Sequence, residues 1–94
     1  MNAQAKFFDE TEIEETAFAP EPSMDFGFRA DAIMIAIDAG EALEYSFDGK
    51  NRHGKIYTAD SWASFDRTDA SKIWFRKVGS LDCQIRVWAW GPKS

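Results

Sequence analysis

Alternation with a period of two dominates the chain from about residue 30 onward. Ile33, Ile35 and Ile37 fall on one face of an extended segment, and Leu43, Tyr45 and Phe47 on one face of the next, the spacing that sends successive side chains to opposite sides of a strand. The Asp38-Ala39-Gly40-Glu41 link between them predicts a hairpin turn. Asp48-Gly49 ends the second strand, 50–54 reads as a polar loop, and shorter strands are expected over 55–58 and 62–67. Two strong strands close the chain, 71–78 and 82–90, and the short Gly79-Ser80-Leu81 link predicts that they form a second hairpin. No stretch after Ala30 carries a helical period, and turn residues recur at the spacing of a sandwich or small barrel. The expected fold class is all-β: a small antiparallel β-sandwich or barrel with an extended acidic N-terminal arm.

The last two strands separate their residues by parity. Ile73, Phe75, Cys83, Ile85, Val87 and Ala89 occupy the odd positions and make a plain core face. Lys72, Trp74, Arg76, Gln84, Arg86, Trp88 and Trp90 occupy the even ones, a mixture of bases and indoles. If the short link sets the register, Trp74 lies opposite Arg86 and Lys72 opposite Trp88, pairings that allow cation–π contact. Two uses of that face compete. The indoles pack under a loop or a second sheet, as buried Trp does in many sandwiches, or they form an interface, where Trp and Arg serve as anchors.

Charge divides the chain where the pattern does. Residues 1–25 hold seven acids against one base, Lys6, for a net −6, and the remainder carries +1, so essentially all of the chain's net charge of −5 comes from the first segment. Pro20 and Pro22 mark that segment as extended, although Thr11 with Glu14 three positions on has the spacing of a capping box and predicts a short helical turn over 11–17. The division expected is an extended arm over 1–25 and a β domain over 26–94. Phe7, Phe8, Ile13 and Phe18 are interleaved with the arm's acids, and a purely solubilising tail has little use for such side chains. They read as anchors. Phe and Glu on a flexible segment complement indole and guanidinium on a sheet. The arm of one copy, or an equivalent segment of a neighbour, is therefore expected to dock on the face of Trp74, Arg76, Arg86 and Trp88, with Trp90 beside them.

Length and chemistry narrow the function further. Ninety-four residues make one small domain, of a size at which a partner adds useful stability. The longest uncharged apolar run, 32–37, is far short of the roughly 20 residues of a membrane-spanning helix, so no membrane is expected as a partner. The acidic balance weighs against nucleic acid, whose phosphates call for clustered Lys and Arg. One cysteine and no charged-then-apolar leader set synthesis in a reducing cytosol as the expectation. His53, the only histidine, reads as a solvated turn residue, and Cys83 as a small buried hydrophobe. One His and one Cys fall short of a zinc site. Asp60, Asp66 and Asp69 offer calcium ligands at most, and more simply mark a solvated turn. No catalytic, cofactor-binding or metal site is expected. A carbohydrate-binding module, which stacks sugar rings on exposed indoles, ranks second to assembly because an acidic, Phe-bearing arm adds nothing to that task.

The stretch Glu44-Tyr45-Ser46-Phe47-Asp48-Gly49, then His53-Gly54, Ser71-Lys72-Ile73-Trp74-Phe75-Arg76 and Ile85-Arg86-Val87-Trp88-Ala89-Trp90, resembles a cassette of small β-sandwich structural proteins of tailed bacteriophage virions. The likeness covers roughly residues 43–91 and excludes the arm. It implies a many-copy virion component made in the host bacterial cytoplasm, with the major capsid protein or neighbouring virion subunits as partners and a homo-oligomer within range. Of the components that resemble this chain, a capsid decoration (cement) protein is the favoured one, and a head-to-tail connector or tail protein follows. An extended arm of about 23 residues spans on the order of 70–80 Å, enough to pass between subunits.

Overall fold

A computed structural model describes residues 3–92. Residues 1, 2, 93 and 94, at the ends of the expected arm and domain, lie outside the described residues. Six strands account for the ordered backbone and no helix occurs among the described residues: β1 (Ala3–Ile13), β2 (Met24–Ala39), β3 (Leu43–Ser46), β4 (Gly54–Ile56), β5 (Trp62–Lys77) and β6 (Cys83–Pro92). All pairings are antiparallel, and the strands make one open sheet in the order β1-β6-β2-β5-β3-β4. The all-β expectation holds.

Two long strands bend this sheet. The pairing of β2 with β5 slips between Asp25 and Ala30 and again between Ala30 and Ala32. Gly27 turns the backbone there at φ +80, a conformation that glycine reaches without a Cβ clash, and its N–H donates to Asp25 Oδ1 at 2.9 Å. Beyond the bend β5 exchanges neighbours, pairing through residues 74–77 with β3. The sheet thereby folds back on itself, and Tyr45 and Phe47 of β3 meet Phe65 of β5 with ring centroids 5.3 and 5.8 Å away. Ile33, Ile35, Ile37, Cys83, Ile85 and Val87 from one half share a core with Met24, Leu43, Tyr45, Ile73 and Phe75 from the other. Burying each of the larger of these side chains is worth about 1.5–3 kcal/mol.

The parity of the strands is as the sequence indicates, but their partners are not. β2 and β3 are not neighbours, and neither are β5 and β6, between which β2 intervenes. Trp74 stands opposite Ser46 rather than Arg86, and Arg86 opposite Ala36. Both supposed hairpin links instead cross between the halves of the folded sheet and brace each other. Val78 donates its N–H to the Ala42 carbonyl at 3.1 Å, and Gly40, at φ +105, lies so close to Asp82 and Cys83 that a Cβ would stand 2.7 Å from the Asp82 carbonyl oxygen. A short link suits a hairpin or a step between facing layers equally well, so link length does not identify the partner strand. The expected strands 62–67 and 71–78 are one continuous β5, and the strand expected over 55–58 is the shorter β4.

The N-terminal segment yields a further correction. Residues 11–13 are strand, not a helical turn, and Thr11 pairs with Ile85. Phe8 pairs with Val87 and Ile13 with Cys83, so Asp9 and Glu10 together face the single residue Arg86. That β-bulge, with Glu10 at φ 50, spaces the inward positions 8, 11 and 13 unevenly and erases the period of two. Residues 14–23 then pass to β2 without regular structure.

Candidate functional site

Residues directly opposed on neighbouring strands point to the same side of a sheet. Across β1, β6, β2 and β5 this rule lines up Phe7, Trp88, Met34 and Ser64 in one row. Ala5, Trp90, Ala32 and Asp66 form the row on one side of it, and Arg86, Ala36 and Trp62 the row on the other. All lie on the face turned away from the core. Among the described residues nothing covers the large side chains fully: Phe7 is 49% exposed, Trp62 62% and Trp90 38%. Exposed aromatic side chains gathered on one face of a small domain are the kind of surface at which contacts form.

Two contacts order the centre of that face. The Phe7 ring stacks on Trp88 with centroids 5.0 Å apart and planes 25° apart, in the range where aromatic pairs attract beyond their buried area. The Arg86 guanidinium lies 5.2 Å from the Trp88 ring and is clamped by both carboxylate oxygens of Asp38 at 2.8 Å each. The Asp38 hydrogen bonds and the charge of Asp9 hold it firmly protonated. Trp88 thus contacts both a phenyl ring and a cation, while Trp62 and Trp90 stand exposed at the margins.

Trp74 and Arg76 form a separate cluster on the other half of the sheet. Glu44, only 8% exposed, accepts from Arg52 Nη1 at 2.8 Å and Arg76 Nε at 2.6 Å. The Arg52 hydrogen bond, reinforced by Arg76, keeps its carboxyl below the usual range against the cost of burial. Phe18 covers the Arg76 guanidinium at 4.3 Å. The Trp74 ring lies against Gly49, where an added Cβ would approach it to 2.8 Å.

Of the nine residues singled out as anchors, Phe7, Arg86, Trp88 and Trp90 therefore gather on the open face, and Phe18, Trp74 and Arg76 belong to the second cluster. Phe8 and Ile13 turn inward. Ile13 is 2% exposed in the core, and Phe8 packs against the core beside Phe26 at 6.0 Å, because the bulge at 9–10 puts both on the inner side. Met34, Ala32, Ala36 and Trp62 complete the open face and escaped the sequence reading. Their parity was legible, but only the β2–β6 and β2–β5 registers reveal that they adjoin Trp88.

Other polar groupings serve the fold. His53 is exposed, as its turn position suggests, and its Nδ1 accepts the Phe47 N–H at 3.0 Å. Its Nε2 is 3.9 Å from Asp48 Oδ2. Ser46, Asp48 and His53 do not compose a nucleophile and base, since Ser46 is fully buried and its Oγ bonds to Asp48 Oδ1 at 2.9 Å rather than to the imidazole. Asp48 closes the loop by accepting the N–H groups of Lys50 and Asn51 at 2.8 and 2.9 Å. Those bonds hold its carboxyl well below the usual carboxylate range. Cys83 is 0% exposed, and burial pushes its thiol up. Carboxylates of Glu12, Glu14 and Asp82 converge within 4.8 Å on the surface, where Lys77 pairs with Asp82 at 2.5 Å. Asp60, Asp66 and Asp69 do not converge among the described residues, and Asp69 pairs with Arg29.

Comparison of the chain with protein-family models and with curated proteins finds no match.

Proposed function

We propose that this chain is a structural protein of a bacteriophage virion, a capsid decoration (cement) protein that binds a neighbouring shell subunit through the open face of Phe7, Met34, Trp62, Trp88 and Trp90. The folded sheet serves as a small two-layered sandwich, one layer of which offers this face, and the acidic N-terminal segment extends the contact. The observation that supports the reading is the exposed aromatic surface, held rigid by the Phe7–Trp88 stack and the Arg86–Asp38 clamp. Its residues need only add area and shape. Contacts that are weak singly become strong when a shell repeats them many times. In this role the protein is not an enzyme and acts in the virion after synthesis in the host cytoplasm. The cassette over residues 43–91 points to phage structural proteins as the family.

Sugar binding is less well supported by the same face. The Trp88 ring is engaged by both Phe7 and Arg86, which leaves less of it free to stack on a sugar. Cosedimentation of the purified protein with virus-like shells of the same phage tests the decoration reading. Saturable binding supports it, and failure to join the shells, combined with a self-assembled ring, moves the function to a head-to-tail connector or tail component.

A further inference from the structure

β1 has one strand neighbour. It pairs with β6 alone, at the end of the sheet, yet it contributes Ile13 to the core and Phe7 to the open face. Without β1, the Cys83, Ile85 and Val87 edge of the core would lie open, with the backbone of β6 unpaired on that side. Every contact between β1 and β6 would be reproduced if the strand came from a second copy, because both copies present the same β6.

The connection to β2 shows which arrangement its sequence favours. Lys77 donates its N–H to the Glu15 carbonyl at 2.8 Å, and Phe75 donates its own to Ser23 Oγ at 2.9 Å. Residues 75 and 77 are alternate positions on β5, about 7 Å apart. The seven residues 16–22 must therefore double back between two nearby points, although an extended chain of that length reaches roughly 25 Å. Within them stand Pro20 and Pro22, which stiffen the backbone in extended form. The loop's intrinsic preference opposes the closure that seats β1 on its own β6. Straightening it carries β1 away from that groove and towards a neighbour's.

We propose that β1 is exchanged between copies of this chain, each donating residues 3–13 to the β6 edge of the next and completing its core. A reciprocal exchange gives a closed dimer, and a one-way exchange gives an open chain of subunits. The inference goes beyond the decoration role and needs no shell, so it is tested on the purified protein alone. A failure to bind shells leaves it standing, and its own failure leaves shell binding untouched.

The register supplies the test. Ile13 faces Cys83, the only cysteine, so the single change Ile13→Cys creates a thiol pair at the spacing of directly opposed strand residues, within disulfide range. The full-length variant is unfolded, refolded across a hundredfold range of concentration and oxidised, and its products are resolved without reductant. The expected result is a disulfide joining positions 13 and 83 between chains, as dimers or ladders whose share rises with concentration. A Pro20→Ala/Pro22→Ala hinge should shift it at least severalfold towards internally linked monomer. Should the core change prevent folding, Glu12→Cys with Gln84→Cys makes the same measurement at an exposed opposed pair. Internally linked monomer alone at every concentration overturns the proposal.

Discussion

Phe7 and Trp88, from opposite ends of the chain, stack at 5.0 Å on the outer side of the sheet. Their contact joins the acidic N-terminal segment to the strand that carries Trp88 and Trp90 and sets the geometry of the open face. Phe7→Ala should remove about 0.5–1.5 kcal/mol of pair energy in addition to the lost area. Since β6 is the only strand β1 pairs with among the described residues, the loss should appear locally. Amide exchange is expected to accelerate in residues 3–13 while β2 and β5 keep their protection; unchanged protection of β1 would show that the stack does not secure the strand.

The two faces of β6 should respond oppositely to substitution. Ile85 is 0% exposed, and Ile85→Asp buries an unpaired charge at a cost of several kcal/mol, comparable with the whole stability of a chain this size, about 5–10 kcal/mol. No cooperative thermal transition should remain. Trp90→Ser, one side chain from the margin of the open face, should keep the transition within a few degrees of the parent. Circular dichroism melts of the two variants make the comparison.

Stability should fall in acid through two carboxylates whose protonation the folded state opposes. Asp48, held by the N–H groups of Asn51 and Lys50, and Glu44, held by Arg52 and Arg76, both have lowered pKa values. Each contributes stability that is fully present above the ordinary carboxyl value of about 4 and is lost as the pH falls through that value towards the folded one. The denaturant midpoint should be level from pH 7 to about 5 and decline below about 4. Asp48→Asn should be less stable at pH 7 and show a shallower acid decline. An unaltered slope in that variant would assign the acid sensitivity to Glu44 or other groups.

Gly49 tests the seating of Trp74. It sits at φ +79, and an added Cβ would come within 2.8 Å of the indole. Gly49→Ala combines left-handed backbone strain of about 1–2 kcal/mol with displacement of the ring. A lowered unfolding midpoint is expected, along with a shifted Trp emission that Lys50→Ala, on the same loop, does not produce.

Much of the strand content was legible in the sequence, and much of the topology was not. Alternation at 33–37 and 83–89 reports which side chains point inward, because the backbone itself imposes that period. It carries no information on which strand lies alongside, which is decided when two apolar faces meet. Hence Trp74 and Arg86 seemed paired although β2 runs between their strands. β1 was hidden for a different reason: a one-residue bulge at Asp9 and Glu10 shifts Ile13 and Phe8 onto the same inner side at odd spacing, and their acidic neighbours then suggest a tail. The open face was half visible, in Trp88, Trp90 and Arg86, and was completed by Met34 and Trp62 only through register.

The open face as a docking surface is tested most directly by cosedimentation of the Trp62→Ser/Trp90→Ser variant and its parent with shells of the same phage, after melts have confirmed that both fold. Binding by the parent and at least a tenfold weaker association of the variant is the expected outcome. Equal binding of a folded variant, or no binding by the parent, would contradict it.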